Sequence, residues 1–292
     1  MKEIEICQCT RIGTDVKGRS EKILVIGGHG NLGEAIVNDF SKNFSKVVVT
    51  GSTSTKEFLE SNEKFQLVIN AANRYFPEPT QGQINEMEKS IVGLAESIKN
   101  YIIIHNTPVI YFSTYLQYAP KNLQPWSEYS EFKSIAAKFF KHISVSRGIP
   151  TTEIILYDNF GGKRKNKIFD LMLQAALKGE NLDTSPGYSV VNLTHVKDIV
   201  RGIRESAIEI LSPKSKIVRS YQFKSAKSYT LRELELMISK TLNINKFVNW
   251  GAVKYRSKEV FELWDCAESP RFWSETESLA NYALHMRRNS PC

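Results

Sequence analysis

Cysteine is scarce in this chain. Four occur in 292 residues, at Cys7, Cys9, Cys266 and Cys292, and Cys7 and Cys9 have no matching pair at zinc spacing. A disulfide-stapled scaffold and a metal site built on thiolates are thereby excluded, and the thiols are expected to stay reduced. Long apolar runs are missing as well. The longest cluster, Tyr101-Ile102-Ile103-Ile104, ends at His105, far short of the ~20 residues that span a bilayer. The segment from Met1 to Asp15 has no apolar core for export, which predicts a cytoplasmic protein. Nor is there an excess of acid: 39 Lys and Arg face 31 Asp and Glu, a formal charge of +8. That balance suits anionic small ligands. The basic residues are dispersed and no nucleic-acid-binding module is present, so a nucleic-acid partner is not expected.

Against these absences stands a strong alternation of apolar runs and helical periods. Residues 1–20 read as an extension, with one short strand at Glu3–Cys9. Strands are predicted at 22–27, 46–50, 66–71, 108–113 and 152–157, and helices at 31–43, 55–62, 82–106 and 127–148. Runs such as Val47-Val48-Val49, Leu67-Val68-Ile69 and Val109-Ile110-Tyr111-Phe112 are continuously apolar, as parallel strands covered on both faces are. The predicted fold is a doubly wound parallel α/β (Rossmann) sheet over 21–160. A smaller substrate-binding lobe follows over 161–292, with a helix at 195–211 packing back on the first domain. Further elements are expected at 166–178, 219–224 and 230–240, then an irregular, aromatic-rich and partly mobile tail. About sixteen residues separate the second strand from the third, too few for the extra strand and helix of a full Rossmann half, so the adenine side is expected to be trimmed.

Three segments carry chemistry. Gly27-Gly28-His29-Gly30-Asn31-Leu32-Gly33 follows the strand Lys22–Ile26 and opens a helix. Strand, glycine turn and helix N-terminus together bind the pyrophosphate of a dinucleotide through free N–H groups and the helix dipole. Asn70-Ala71-Ala72-Asn73 ends the third strand, where small alanines let a dinucleotide pass. Ser113-Thr114 ends the fourth, and carboxyl ends of parallel strands are where such sheets bind ligands. Tyr129 and Lys133 lie one helical turn apart, and Tyr129 is alone among twelve tyrosines in having Lys at that spacing. A Lys ammonium beside a phenol is expected to lower the Tyr pKa toward neutrality, suiting it to move a proton at a carbonyl or alcohol oxygen. The second strand ends Thr50-Gly51-Ser52-Thr53-Ser54-Thr55-Lys56 with no acid for a ribose 2′-OH. Ser52, Thr53 and Lys56 are suited to a 2′-phosphate, which favours NADP(H), with NAD(H) as the alternative. His195 is read as a capping or packing residue.

In order and spacing these segments resemble the extended short-chain dehydrogenase/reductase family, which includes the nucleotide-sugar epimerases and dehydratases. The resemblance covers roughly residues 21–260 and includes His195-Val196-Lys197-Asp198. Leu156-Tyr157-Asp158-Asn159-Phe160-Gly161 and Trp250-Gly251-Ala252-Val253-Lys254-Tyr255-Arg256 with Glu259 are most similar to 4-keto-sugar reductases of the CDP-abequose and CDP-paratose synthase type. The resemblance implies a catalytic set of Thr114, Tyr129 and Lys133, with Lys133 also on the nicotinamide ribose. Cofactor contacts fall at Gly27 to Gly33, Ser52, Thr53 and Asn70 to Ala72, and substrate contacts at Asn159 and Arg256. It further implies a nucleotide-diphosphate sugar as substrate, NADPH-dependent reduction of its 4-keto group, and a homodimer through the helices at 82–106 and 127–148. Two departures matter. Gly162 replaces an expected Pro, and Tyr115-Leu116 stand where dehydratases carry an Asp-Glu pair, so no acid is placed for water elimination. An NAD-retaining epimerase and a catalytically silent NAD(P)-binding sensor are the alternative readings.

Overall fold

A computed structural model describes residues 22–44, 46–51, 54–163, 167–213, 215 and 217–289. The predicted extension and strand before residue 21, and Ser52 and Thr53, lie outside the described residues. The elements in chain order are β1 (Lys22–Ile26), α1 (Asn31–Asn43), β2 (Lys46–Thr50), α2 (Thr55–Glu60), β3 (Leu67–Asn70), α3 (Gln81–Glu88), α4 (Leu94–His105), β4 (Val109–Thr114), α5 (Glu128–Arg147), β5 (Thr151–Leu156) and β6 (Asp158–Phe160). There follow α6 (Ile168–Lys178), β7 (Leu182–Thr184), β8 (Val190–Val191), β9 (Leu193–His195), α7 (Val196–Leu211), β10 (Val218–Phe223), β11 (Tyr229–Thr230), α8 (Leu231–Leu242), β12 (Val248–Trp250) and α9 (Leu279–Asn289).

The chain forms two compact units. Among the described residues, the first comprises those within 22–156, 200–222 and 266–272, and the second those within 157–199, 223–265 and 273–289. The division therefore does not fall at one point near residue 160. Part of α7 and nearly all of β10 belong to the first unit, although β10 lies in the stretch assigned by sequence to the smaller lobe.

The first unit is built on a six-stranded sheet of order β10-β5-β4-β3-β1-β2. The pairs β2–β1, β1–β3, β3–β4 and β4–β5 are parallel. The apolar runs explain the layering. Leu24, Ile26, Val68, Val109 and Tyr111 pack in one core with Met87, Ile98, Ile102, Ala136 and Phe140 from α3, α4 and α5. Alternate positions Ile23, Val25, Ile69 and Ile110 are buried too, and because strand side chains alternate, they face the opposite layer. Arg204 of α7 donates to Asp39 of α1 at 2.9 Å. Among the described residues β2 is the outermost strand on its side: the chain passes from β2 through the six-residue α2 directly to β3, across β1. This is a shorter arrangement than a full mononucleotide-binding half.

Two expectations are corrected here. The helix expected to run unbroken over 82–106 is interrupted by a π-helical turn, Lys89–Gly93. The tail expected to be irregular and partly mobile ends in α9, whose Leu279, Tyr282 and Ala283 are buried with Leu234, Ile238 and Leu242 of α8 in the core of the second unit. Its apolar positions at i, i+3 and i+4 provide the stripe that docks, and Arg287 donates to the Leu242 carbonyl that ends α8 (2.6 Å).

Candidate active site

The glycine turn is fixed by its own packing. The Gly27 N–H donates to the Thr50 carbonyl at 3.0 Å and the Gly30 N–H to the Gly27 carbonyl at 2.9 Å. Gly27 has φ of +77°, and a Cβ there would sit 2.5 Å from Ala72 Cα; a Cβ on Gly33 would sit 2.1 Å from the Gly27 oxygen. Only hydrogen fits at either place. Asn70-Ala71-Ala72 is thereby brought against the turn, held by an Ala71 N–H bond to Ile26 O at 2.9 Å. Gly30 is the N-cap of α1, and no side chain caps that helix. A helix start without a side-chain cap, on a backbone stripped of Cβ atoms, fits an anionic pyrophosphate. His29 lies beside Gly51. At the end of β2, the buried Thr50 accepts from Thr55 at 3.0 Å, and the exposed Lys56 pairs with Glu60 at 3.6 Å.

Thr114 is the last residue of β4 and is 8% exposed. Its Oγ1 accepts from the Leu116 N–H (3.4 Å), capping a 3-10 turn at Tyr115–Tyr118. A capping box, in which Ser127 and Ser130 exchange bonds with each other's backbone, starts α5. That cap places Tyr129 in the first turn and Lys133 in the next. Lys133 is buried, and its Nζ donates to the Phe112 carbonyl of β4 at 2.8 Å while lying 5.9 Å from the centre of the Tyr129 ring. The half-buried Tyr129 accepts a hydrogen bond from Asn73 Nδ2 at 2.8 Å, and Tyr75 meets its ring edge-on at 4.9 Å.

These contacts correct one expectation. Lys133 does not draw the Tyr129 hydroxyl toward neutrality. Burial raises the Tyr129 pKa well above the usual phenol value, with the Asn73 bond acting against that rise. Burial also lowers Lys133 to about 8. The ammonium is spent on a strand carbonyl, and desolvation dominates both groups. Tyr129 is therefore a protonated phenol at neutral pH.

The structure thus brings the glycine turn, Asn70–Ala72, Tyr129 and Lys133 to the carboxyl ends of β1, β3 and β4 in one unit. Asn159 lies on β6 of the second unit, in register with Thr194 of β9, and Arg256 is exposed in that same unit. His195 is buried in packing, as read from sequence: its Nδ1 accepts from the Lys197 N–H at 3.0 Å and its ring meets Phe160. Two groups were not foreseen. Asn73 gave no signal beyond being polar at a strand end. Asp158 is pushed up to about 6 by burial, and its Oδ2 has no hydrogen-bond partner among the described residues.

A glycine turn of this shape beside a Tyr-Lys helix is the arrangement of a nicotinamide-dinucleotide enzyme of oxidoreductase type. The chain belongs to the NAD dependent epimerase/dehydratase family, whose profile matches residues 23–209. It is 21% identical over 262 residues to the CDP-abequose synthase of Yersinia pseudotuberculosis, covering 82% of this chain and 90% of that protein. Among solved structures, MoeE5 in complex with UDP-glucuronic acid and NAD matches with a TM-score of 0.76 at 16% identity, over 90% of this chain and 96% of the other. DesIV, a dTDP-glucose 4,6-dehydratase from Streptomyces venezuelae, matches with a TM-score of 0.74 at 16% identity, over 92% and 97%. At these identities the structural matches establish the fold. Among the described residues no helix is long and apolar enough to cross a membrane.

Proposed function

We propose that this protein reduces the 4-keto group of a nucleotide-linked 6-deoxy or 3,6-dideoxy sugar, with NADPH favoured and NADH as the alternative cofactor. The nicotinamide cofactor, when bound, supplies the hydride. Its pyrophosphate is assigned to Gly27 through Gly33 and its further contacts to Asn70, Ala71 and Ala72. Ser52, Thr53 and Lys56 are assigned to the adenosine ribose, on the absence of an acid at the end of β2. Tyr129 gives its proton to the keto oxygen as charge builds there, Thr114 donates a hydrogen bond to that oxygen, and Lys133 holds the ribose. Asn159 and Arg256 are assigned to the nucleotide sugar. The same reading takes the protein as a homodimer through the helices at 82–106 and 127–148, where α4 and α5 carry the exposed Ile104 and Val145.

The observation that carries this reading is the Tyr129 hydroxyl, one turn before Lys133 on α5, which accepts a hydrogen bond from Asn73 Nδ2 at 2.8 Å and so keeps its own proton to give. Reduction needs a proton donor at this point, and burial, which raises the phenol's pKa, agrees with that role. A phenol whose oxygen already accepts a hydrogen bond directs its own proton elsewhere. An NAD-retaining epimerase, the second reading, is favoured by the family match and must begin with Tyr129 as a base. Tyr115 and Leu116 in place of acids weigh against dehydration.

The test is turnover of CDP- and dTDP-linked 4-keto sugars with NADPH. Replacement Tyr129→Phe removes the proton donor and is expected to lower turnover by a factor on the order of 10²–10⁴, with cofactor affinity nearly intact. Net consumption of NADPH separates reduction from epimerisation. Unchanged turnover in Tyr129→Phe sinks the role given to that residue.

A further inference from the structure

Glu153 sits in the middle of β5 and is 0% exposed, a carboxylate inside the sheet layer that no step above uses. Five groups converge on it. Its Oε1 accepts from Ser113 Oγ at 2.5 Å, Tyr118 Oη at 2.6 Å and Gln117 Nε2 at 3.3 Å. Its Oε2 accepts from Ser220 Oγ of β10 at 2.8 Å, and Lys141 of α5 stands 4.0 Å away. The two oxygens therefore divide the neighbourhood. Oε2 is tied to the frame, through the neighbouring strand and the long helix. Oε1 is tied to the residue just before Thr114 and to the turn just after it. Thr114 itself caps that turn through Leu116, so its hydroxyl is bracketed on both sides by bonds to one carboxylate oxygen.

We propose that Glu153 is a positioning residue that clamps the β4 end and its 3-10 turn, and thereby fixes the Thr114 hydroxyl for the reaction. This rests on the catalytic role proposed for Thr114. The chemistry suits the task. Both Glu153 oxygens accept and every hydrogen-bond partner here donates, which holds the turn in one arrangement. Burial and the neighbouring carboxylate hold the Tyr118 phenol protonated as a donor. An isolated buried charge would be costly, and these charge-assisted bonds with Lys141 nearby offset that cost.

The experiment compares Glu153→Gln, Tyr118→Phe and Ser220→Ala in the full-length protein, reading kcat, KM, melting temperature and amide hydrogen exchange. Glu153→Gln places an N–H₂ among donors. It and Tyr118→Phe are expected to lower kcat about ten- to a hundredfold, the scale of a small misplacement of a catalytic group, with KM and cofactor affinity within about threefold. Ser220→Ala loosens only the frame side: kcat stays within about twofold of the unmodified protein while the melting temperature falls. Amides of residues 115–118 should exchange faster in the first two variants and not in the third. A loss of kcat that simply follows melting temperature across all three variants, or wild-type kcat in Glu153→Gln, overturns the assignment. If the unmodified protein turns over no keto sugar, the proposed function fails, and hydrogen exchange alone then decides the clamp. Selective quickening at 115–118 supports it, and unchanged or sheet-wide exchange refutes it.

Discussion

Gly33→Ala is the sharpest probe of the cofactor site, because two opposing effects can be weighed. In a helix, Ala is favoured over Gly by up to ~1 kcal/mol. The added Cβ, however, would lie 2.1 Å from the Gly27 oxygen and 2.9 Å from both Gly27 C and Gly28 Cα. These are backbone atoms of the turn, which cannot rotate away as a side-chain tip can. An ordinary contact requires the turn and α1 to separate by more than an ångström, and overpacking of that kind costs about 1–3 kcal/mol. The net expectation is a loss of up to about 2 kcal/mol, a fall in melting temperature of up to roughly 8 °C. Because the separation opens the cradle for the pyrophosphate, dinucleotide affinity should fall about ten- to a hundredfold, or 1.4–2.7 kcal/mol. Thermal melts with and without NADPH and NADH, beside fluorescence titration of the reduced cofactor, measure both. Gly82→Ala is the control: it also lies in a helix, nothing approaches its added Cβ within 4 Å, and it should leave binding unchanged. Gly33→Ala binding cofactor within twofold of the unmodified protein, with an equal or higher melting temperature, would refute the reasoning.

Burial sets two further outcomes. Asp158, held at about 6 against an ordinary carboxylate near 3.8, binds its proton more tightly in the fold than unfolded. Stability should therefore fall by about 1–3 kcal/mol as pH rises from about 4 to about 6, and Asp158→Asn should flatten that slope in denaturant titrations. Lys133, held at about 8 against 10.5, behaves oppositely: the unfolded chain keeps the proton between those values, so stability should rise over that window. Cofactor affinity should fall as pH rises through about 8, where the folded protein's ammonium discharges, and Lys133→Met should remove both inflections in pH-resolved melts and binding.

The succession of strands and helices from β1 to β5, the turn at 27–33 and the helix bearing Tyr129 and Lys133 were legible in the sequence because each is written locally. Continuous apolar runs report a strand covered on both faces, glycines at 27 and 33 report backbone contact, and a four-residue spacing reports one helix face. The short link before Asn70 agrees with β2 being the outermost strand on its side among the described residues. The breaks in this legibility are also physical. The π-helical turn at Lys89–Gly93 and the docking of α9 depend on what packs against them, which lies far away in sequence. The protonation of Tyr129 was misread because spacing places Lys133 near the ring but says nothing of the Phe112 carbonyl that takes its ammonium, nor of the desolvation that outweighs its charge. Asn73 and Glu153 lie 56 and 40 residues from the side chains they hold. By itself, then, the sequence determined the family fold and where its glycine turn and Tyr-Lys pair fall along the chain, since these follow from local backbone preference and periodicity. Only the tertiary structure decided their protonation and their supporting bonds, because solvation and hydrogen-bond partners are set by neighbours that folding alone brings together.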